Sequence, residues 1–360
     1  MRKFILLMAV LLLALPASAE TLNFQVTDTL SVDAEAPDAP AALPTIWVKY
    51  HEFDVDELQK RFMKTDTRRT EGVDDEGRYF QLGDAEGGGE YMLIELDLGR
   101  FCYTSEYDQK YLQELMDFDD EMTDNSNLFP DDLELSWMSR AEAIERTRRM
   151  LQELGIRLMH GERVYTLEKD SYVCVQGQLA QSERQVDMPK RYLDPFDPAH
   201  EGYFMVFEQE LNGLSCDALG NRFPVRVLLT RQGYEYVESG YNVVEVSWDE
   251  EKPLLSAGDA LKAAAVGLQH TFKPALKEDG TLDRLPVAIE RIRLVYEPDN
   301  TGKEEAPSTA CVPVWKYAYP SGMLKDAGTW RERALDNAAF IRTIHVDART
   351  GALLAESYPS

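Results

Sequence analysis

The sequence predicts an α+β fold, with helices packed on antiparallel sheets, and three observations predict it. Short runs of alternating apolar residues, of strand length, recur along most of the chain. A few longer segments with helical spacing interrupt them, each opening on a capping residue. Two of those helical segments begin alike and are each followed by strands, which makes a helix laid on a sheet the repeated layer.

The chain has 360 residues, 44% of them apolar, enough for a real core and too many for a disordered protein. At about 100–200 residues per domain, two or three domains are expected. The formal charge is −26. That acidity excludes a nucleic-acid binder working through backbone phosphates, where Lys and Arg must displace counterions. It also argues against docking on anionic lipid.

Residues 1–19 have the secretory pattern. Met1-Arg2-Lys3 is the positive start, Phe4 to Leu15 the apolar run, Pro16 the break, and Ala17-Ser18-Ala19 the small residues of a cleavage site. Cleavage is expected between Ala19 and Glu20. The run is too short for a comfortable membrane span, which needs about 20 apolar residues. No Cys lies near the cleavage site, so no lipid anchor is expected there, and no later stretch approaches spanning length. The mature protein is therefore expected to be soluble and secreted.

Along the mature chain, Leu22, Phe24, Val26, Leu30 and Val32 read as a strand, followed by a connector through Ala36-Pro37-Asp38-Ala39-Pro40. Thr45 to Phe53 reads as a second strand. Asp54 opens a helix with Glu57 as its capping-box partner and Leu58, Phe62 and Met63 on one face. Asp66 to Gly77 reads as a charged loop. Arg78–Leu82 and Tyr91–Tyr103 read as a hairpin around Gly83 to Glu90, a loop that contains Gly87-Gly88-Gly89. Ser105 and Asp108 start another helix, with Tyr107, Tyr111, Leu112, Leu115 and Met116 on one side.

Asp117 to Glu134 holds eight acidic residues and no basic one. A calcium loop of the EF-hand type needs Gly at its sixth position and Glu at its twelfth. Counting from Asp117 these positions are Met122 and Leu128, and from Asp119 they are Asp124 and Pro130, so neither register works. The run reads as a solvated linker and a domain boundary.

The repeat begins at Ser139-Arg140-Ala141-Glu142-Ala143-Ile144 and again, 117 residues on, at Ser256-Ala257-Gly258-Asp259-Ala260-Leu261. Each Ser can cap a helix, and the acid three residues later suits the positive end of the helix dipole. Leu151-Gln152 and Leu268-Gln269 fall at the same offset. The first helix should bury Ile144, Met150, Leu151 and Leu154 and end at Gly155. The second should bury Leu261, Ala264, Ala265 and Leu268 and stop before Pro274.

Strands follow each helix: Arg163–Leu167, Ser171–Gln176, Tyr203–Leu211, Val225–Thr230 and Tyr241–Trp248 after the first, and Ile289–Tyr296, Val312–Tyr319, Phe340–Val346 and Ala352–Leu354 after the second. Tyr203, Met205, Phe207, Gln209 and Leu211 are expected on one face of a single strand. Ser182 to Glu201, with Pro189, Pro195 and Pro198, reads as an insertion or long loop.

Four segments carry a resemblance: Ser256 with Asp259-Ala260-Leu261, then Ile289-Glu290-Arg291-Ile292-Arg293-Leu294, then Pro313-Val314-Trp315-Lys316-Tyr317, then Ile344 through Leu353. Together they resemble a PepSY domain, whose strands end in a turn like Asp347-Ala348-Arg349-Thr350-Gly351. Asp347 and Thr350 favour such a turn, and Gly351 can take the positive φ of a hairpin bulge. The earlier stretch Tyr203 to Asp217 is similar to strands of the YycH/YycI regulatory proteins. The resemblance covers about residues 136–360, and the leader-plus-strand arrangement also looks like exported proteins of Gram-positive bacteria.

The acidic linker marks off a 20–135 N-terminal α+β domain, and the resemblance implies a first PepSY-like unit over 136–254 and a second over 255–360. It also implies a non-enzymatic module that contacts another extracytoplasmic protein, such as a peptidase, a sensor or a cell-wall protein.

No residue of the sequence is assigned a catalytic, cofactor-binding or metal-ligating role. His51, His160, His200, His270 and His345 are scattered, with no HExxH and no pair at helical spacing. Gly213-Leu214-Ser215-Cys216-Asp217 fails the nucleophile-elbow pattern at its last position. No phosphate-cradling glycine motif is present. Among 64 acidic residues an adjacent pair carries almost no information, so a secreted glycan hydrolase using a carboxylate pair is the competing class.

For His345 a base or ligand role is weighed against a place on the half-exposed face of a strand with Ile341 and Thr343, and the latter is favoured. Trp315, Tyr317 and Tyr319 share a strand face, read as core under the second helix rather than a ligand shelf. Arg291 and Arg293 share the other kind of face, one that either meets a partner or solubilises the sheet. Cys102, Cys174, Cys216 and Cys311 permit two disulfides in three connectivities. Four buried thiols acting as small hydrophobes are favoured instead, since a chain this long does not need staples.

Overall fold

The computed structural model describes residues 20–64, 69–74, 77–83, 89–105, 133–170, 197–217, 225–272, 287–299, 308–320 and 341–356. The leader, Gly87-Gly88, the helix expected after Ser105, the acidic run to 132, the Ser171–Gln176 strand with Cys174, the Pro-rich stretch to 196 and Pro274 lie outside the described residues. Within them the protein is a mixed α+β molecule, mostly strands, with three α-helices and several largely antiparallel sheets.

The chain starts with β1 (Glu20–Gln25) and β2 (Leu30–Ala36), an antiparallel hairpin rather than one strand. Thr27 makes the turn: its Oγ1 accepts from the backbone N–H of Thr29 and Leu30, a local bond that competes with continued extension. β3 (Ala42–Leu43) and β4 (Ile46–Tyr50) follow.

Helix α1 (Val55–Phe62) starts where Asp54 accepts from the Asp56 and Glu57 amides, and it buries Val55, Leu58 and Phe62. The Glu57 carboxylate reaches Arg61, 3.0 Å away, an i,i+4 pair. β5 (Arg69–Asp74) occupies much of the expected charged loop; its polar residues suit an edge strand. β6 (Gly77–Gly83) pairs with it and with β7 (Tyr91–Glu95). β7 does not run on to Tyr103. A 3-10 turn at Leu96–Leu98 and Gly99, at φ 59, break the run before β8 (Arg100–Thr104).

Helix α2 (Arg140–Glu153) has the expected cap, as a full capping box. Ser139 Oγ accepts from Glu142 N at 3.2 Å, and the Glu142 carboxylate accepts from Ser139 N at 2.9 Å. The helix buries Ala143, Thr147, Met150 and Leu151, with Ile144 only partly covered, and Gly155 leaves it at φ 82.

Next come β9 (Arg163–Leu167), β10 (Gly202–Phe207), β11 (Glu210–Leu211), β12 (Leu214–Cys216), β13 (Val225–Thr230), β14 (Gly233–Ser239), β15 (Val243–Trp248) and β16 (Lys252–Pro253). β10 ends at Phe207, and Leu211 belongs to a different sheet and core from Tyr203, Met205 and Phe207.

Helix α3 (Ala257–Thr271) is capped by Ser256, whose Oγ accepts from Asp259 N at 3.2 Å. It buries Leu261, Ala264 and Leu268, and leaves Ala265 half-buried. β17 (Val287–Ile289), β18 (Arg291–Pro298), β19 (Thr309–Pro320), β20 (Ile341–Asp347) and β21 (Leu353–Glu356) complete the fold. Replacing Ser139 or Ser256 with Ala should cost about 1 kcal/mol each. Urea unfolding of the two single variants measures it, and an unchanged midpoint in both would deny the caps their role.

Two eight-stranded sheets carry most of this. One runs β5-β6-β7-β8-β14-β13-β10-β9, with α1 and α2 on its apolar face. There Phe62 stacks on Phe101 and Tyr103, with ring centroids 5.9 and 5.4 Å apart. The other runs β11-β12-β18-β19-β20-β21, with β4 joined to β19 and β15 to β4. Its core gathers Ile46, Val48, Trp315, Tyr317, Ile344 and Val346 beneath α3. The only parallel neighbours among the described residues are β12–β18 and β17–β2.

The Gly99 turn, the end of β4 and the start of β15 are tied together. Asn242, 2% exposed, donates from its backbone and side-chain amides to Gly99 O, and His51 N donates to Asn242 O. A Cβ on Gly99 would lie 2.4 Å from Asn242 O, so only glycine fits. The His51 ring sits edge-on to Phe53, centroids 4.6 Å apart.

Burial holds the His51 imidazole below the ordinary histidine range. Stability carried by a depressed group is complete above the ordinary value and is lost as pH falls through that range toward the folded value. Urea midpoints should fall across that window in the wild type and fall less in His51→Gln. Equal slopes would contradict the linkage.

Candidate functional site

The residues singled out in the sequence have separate fates. Trp315, Tyr317 and Tyr319 do form core under α3. Trp315 Nε1 donates to Leu255 O at 3.0 Å, Tyr317 OH donates to Ala257 O at 2.6 Å, and Phe272 meets Tyr319 edge-on at 5.3 Å. Burial pushes the Tyr317 phenol far above its ordinary value, so it serves as a neutral donor. Asp347 closes the last turn as expected: its Oδ1 accepts from the Arg349 and Thr350 amides, and Gly351 sits at φ 72. Arg291 is exposed, while Arg293 is half-buried and paired with Glu208. Cys102 lies in β8 and Cys216 ends β12; Cys311, at the start of β19, is a buried free thiol.

His345 departs from expectation. It is buried, not half-exposed, and it has partners. Its Nδ1 lies 2.7 Å from Glu297 Oε2 and its Nε2 lies 2.8 Å from Thr343 Oγ1. On the same sheet face Lys316 Nζ lies 2.6 Å from Asp217 Oδ2 and 3.7 Å from Glu297 Oε1. Strand register explains the convergence. Lys316 stands opposite His345, and Ala318 opposite Thr343, while Cys216 beside β18 delivers Asp217. The chain Asp217–Lys316–Glu297–His345–Thr343 is thus assembled from four segments, and all five residues are buried.

A hydroxyl, an imidazole and a carboxylate in line is the arrangement that activates a nucleophile. Here each member is under 9% exposed, so the arrangement acts first as a buried polar seam inside the sheet. Among the described residues no group of three or more His, Cys, Asp or Glu side chains is arranged to hold a metal ion.

A second feature faces solvent. β15 pairs only with β4 among the described residues, so its other side is a sheet edge. Val246 and Trp248 on it are 54% and 51% exposed, although both are large and apolar. The register slips between Glu245 and Ser247, leaving Val246 as the bulged residue, and such a bulge re-aims neighbouring side chains. Trp248 is not loose: its Nε1 donates to Glu245 Oε2 at 3.3 Å, and Glu245 is paired with Arg157 at 2.8 Å.

Three exposed acids, Asp249, Glu250 and Glu251, follow directly. Asp249 is positioned by its backbone bond to Thr45 and by Trp47 Nε1, 3.1 Å from Oδ1. The sequence marked Tyr241–Trp248 as a strand, but nothing in it distinguishes an edge strand from a central one.

No family model matches the chain, and no curated protein matches it. A solved structure does. The crystal structure of an uncharacterized protein from Eubacterium rectale ATCC 33656 superposes with a TM-score of 0.61, covering 98% of this chain and 99% of that one at 14% identity. The likeness is one of fold. Among the described residues no helix is long and apolar enough to cross a membrane.

Proposed function

We propose that the protein is an exported, non-enzymatic binding or regulatory module that takes an extended, basic segment of another extracytoplasmic protein along β15. The observation that carries this is the β15 edge, with an exposed Trp and Val and three acids beside them. An edge strand offers unpaired N–H and C=O groups that an incoming strand can join, and alternate side chains then select the partner. The acids and the charge of −26 fix the sign of that partner, drawing in basic segments and repelling acidic ones.

The rest of the reading rests on the sequence. Residues 1–19 act as a leader cleaved between Ala19 and Glu20, and residues 136–254 and 255–360 form two PepSY-like units. The matching caps at Ser139 and Ser256, and the matching buried Leu151 and Leu268, support the repeat.

The test is capture from the secreted fraction of the source cells with the mature protein as bait, at low and high salt. A basic protein held at low salt and released at high salt is expected. No such protein, together with turnover of a glycan that stops when a buried carboxylate becomes its amide, would replace this reading with a hydrolase.

A further inference from the structure

The seam around Lys316 holds a chemistry that docking on β15 does not use. Lys316 Nζ and Asp217 Oδ2 are in contact at 2.6 Å, with the two side chains only 4% and 7% exposed. They stand 99 residues apart in sequence, Lys316 on β19 and Asp217 one residue past the end of β12, and β18 lies between those two strands. β18 itself supplies Glu297, whose Oε1 is 3.7 Å from the same Nζ and has no hydrogen-bond partner. The other oxygen of that carboxylate is fixed by His345. Val295, Val312 and Val314, on the same face, form a dry patch beside the group.

The geometry points to a covalent amide between Lys316 Nζ and Asp217 Cγ, formed by condensation of the pair with loss of one water. An ammonium and a carboxylate withdrawn from water lose the solvation that keeps them charged. Proton transfer within the pair then gives an amine and an acid in contact. The nitrogen lone pair adds to Cγ, forming the C–N bond. Glu297 Oε1 takes the proton that the nitrogen sheds and passes it to the departing hydroxyl. The C–O bond breaks and water leaves. Of the three ammonium hydrogens one stays on the amide nitrogen and two depart in the water, and both buried charges vanish together.

No oxidant or co-reactant is needed. The fold supplies proximity, and well-oriented groups reach effective molarities of about 10⁵–10⁸ M. His345, itself held by Thr343, is a positioning residue for Glu297.

Peptide mapping and intact mass of the purified protein test this. The wild type should weigh one water less than its mature sequence. Trypsin should fail to cut after Lys316, and fragmentation should show a branched peptide joining Lys316 to Asp217. Glu297→Gln, folded by circular dichroism, should keep full mass and a cleavable Lys316. A wild-type mass equal to the sequence, or water lost without the branch, overturns the cross-link. A branch that forms fully in Glu297→Gln overturns the role of Glu297.

Discussion

Replacing Trp315 with alanine is expected to lower the unfolding free energy by about 3–5 kcal/mol. Trp315 is 1% exposed in the core beneath α3, so truncation leaves a cavity that the surrounding β-strands and helix can only partly fill. It also removes the donor to the partly buried Leu255 carbonyl. Val266, 75% exposed on α3, is the control, and its replacement by Ala should stay within about 0.5 kcal/mol. Urea titration of both variants decides it. A loss at Trp315 no larger than at Val266 would mean that α3 does not rest on that strand face.

The second large effect concerns the buried seam. Asp217→Ala should be about 3–5 kcal/mol less stable than the double variant Asp217→Leu/Lys316→Met, because the single change leaves the Lys316 ammonium inside the sheet without the carboxylate it touches. The double variant carries no such penalty, since an apolar pair needs no solvation. Neither variant can form the amide, so the comparison isolates the cost of a stranded charge. A double variant as unstable as the single one would contradict this account of the seam.

Local signals were legible in the sequence and distant ones were not. Helix starts were readable at Asp54, Ser139 and Ser256 because a cap and its amides lie within three residues. β9 and β13 were readable to the residue because Gly161 and Pro224 before them and charged residues after them bound their apolar runs. β14 was missed, though it is central in its sheet. Its pattern is broken by Glu235 and Glu238, 2% and 7% exposed. They are held there by Lys64 at 3.5 Å, and by Arg226 at 3.3 Å and the Tyr236 hydroxyl at 2.7 Å. Buried acids look like surface ones until their partners are known.

His345 was misplaced for the same reason, since its partner Glu297 lies 48 residues away on another strand. The β15 edge could not be read either. Edge status depends on which strands pair, and β15 meets β4 from far earlier in the chain.

Capture by the wild type against a Val246→Lys/Trp248→Lys variant tests the docking claim most directly. Both positions are more than half exposed, so the fold should survive with an unchanged melting temperature. The two lysines remove the apolar anchors and reverse the local charge beside Asp249, Glu250 and Glu251. The account predicts that the basic protein retained by the wild type at low salt is lost from the variant. Equal retention by both proteins would show that the partner sits elsewhere and would contradict β15 as the docking edge.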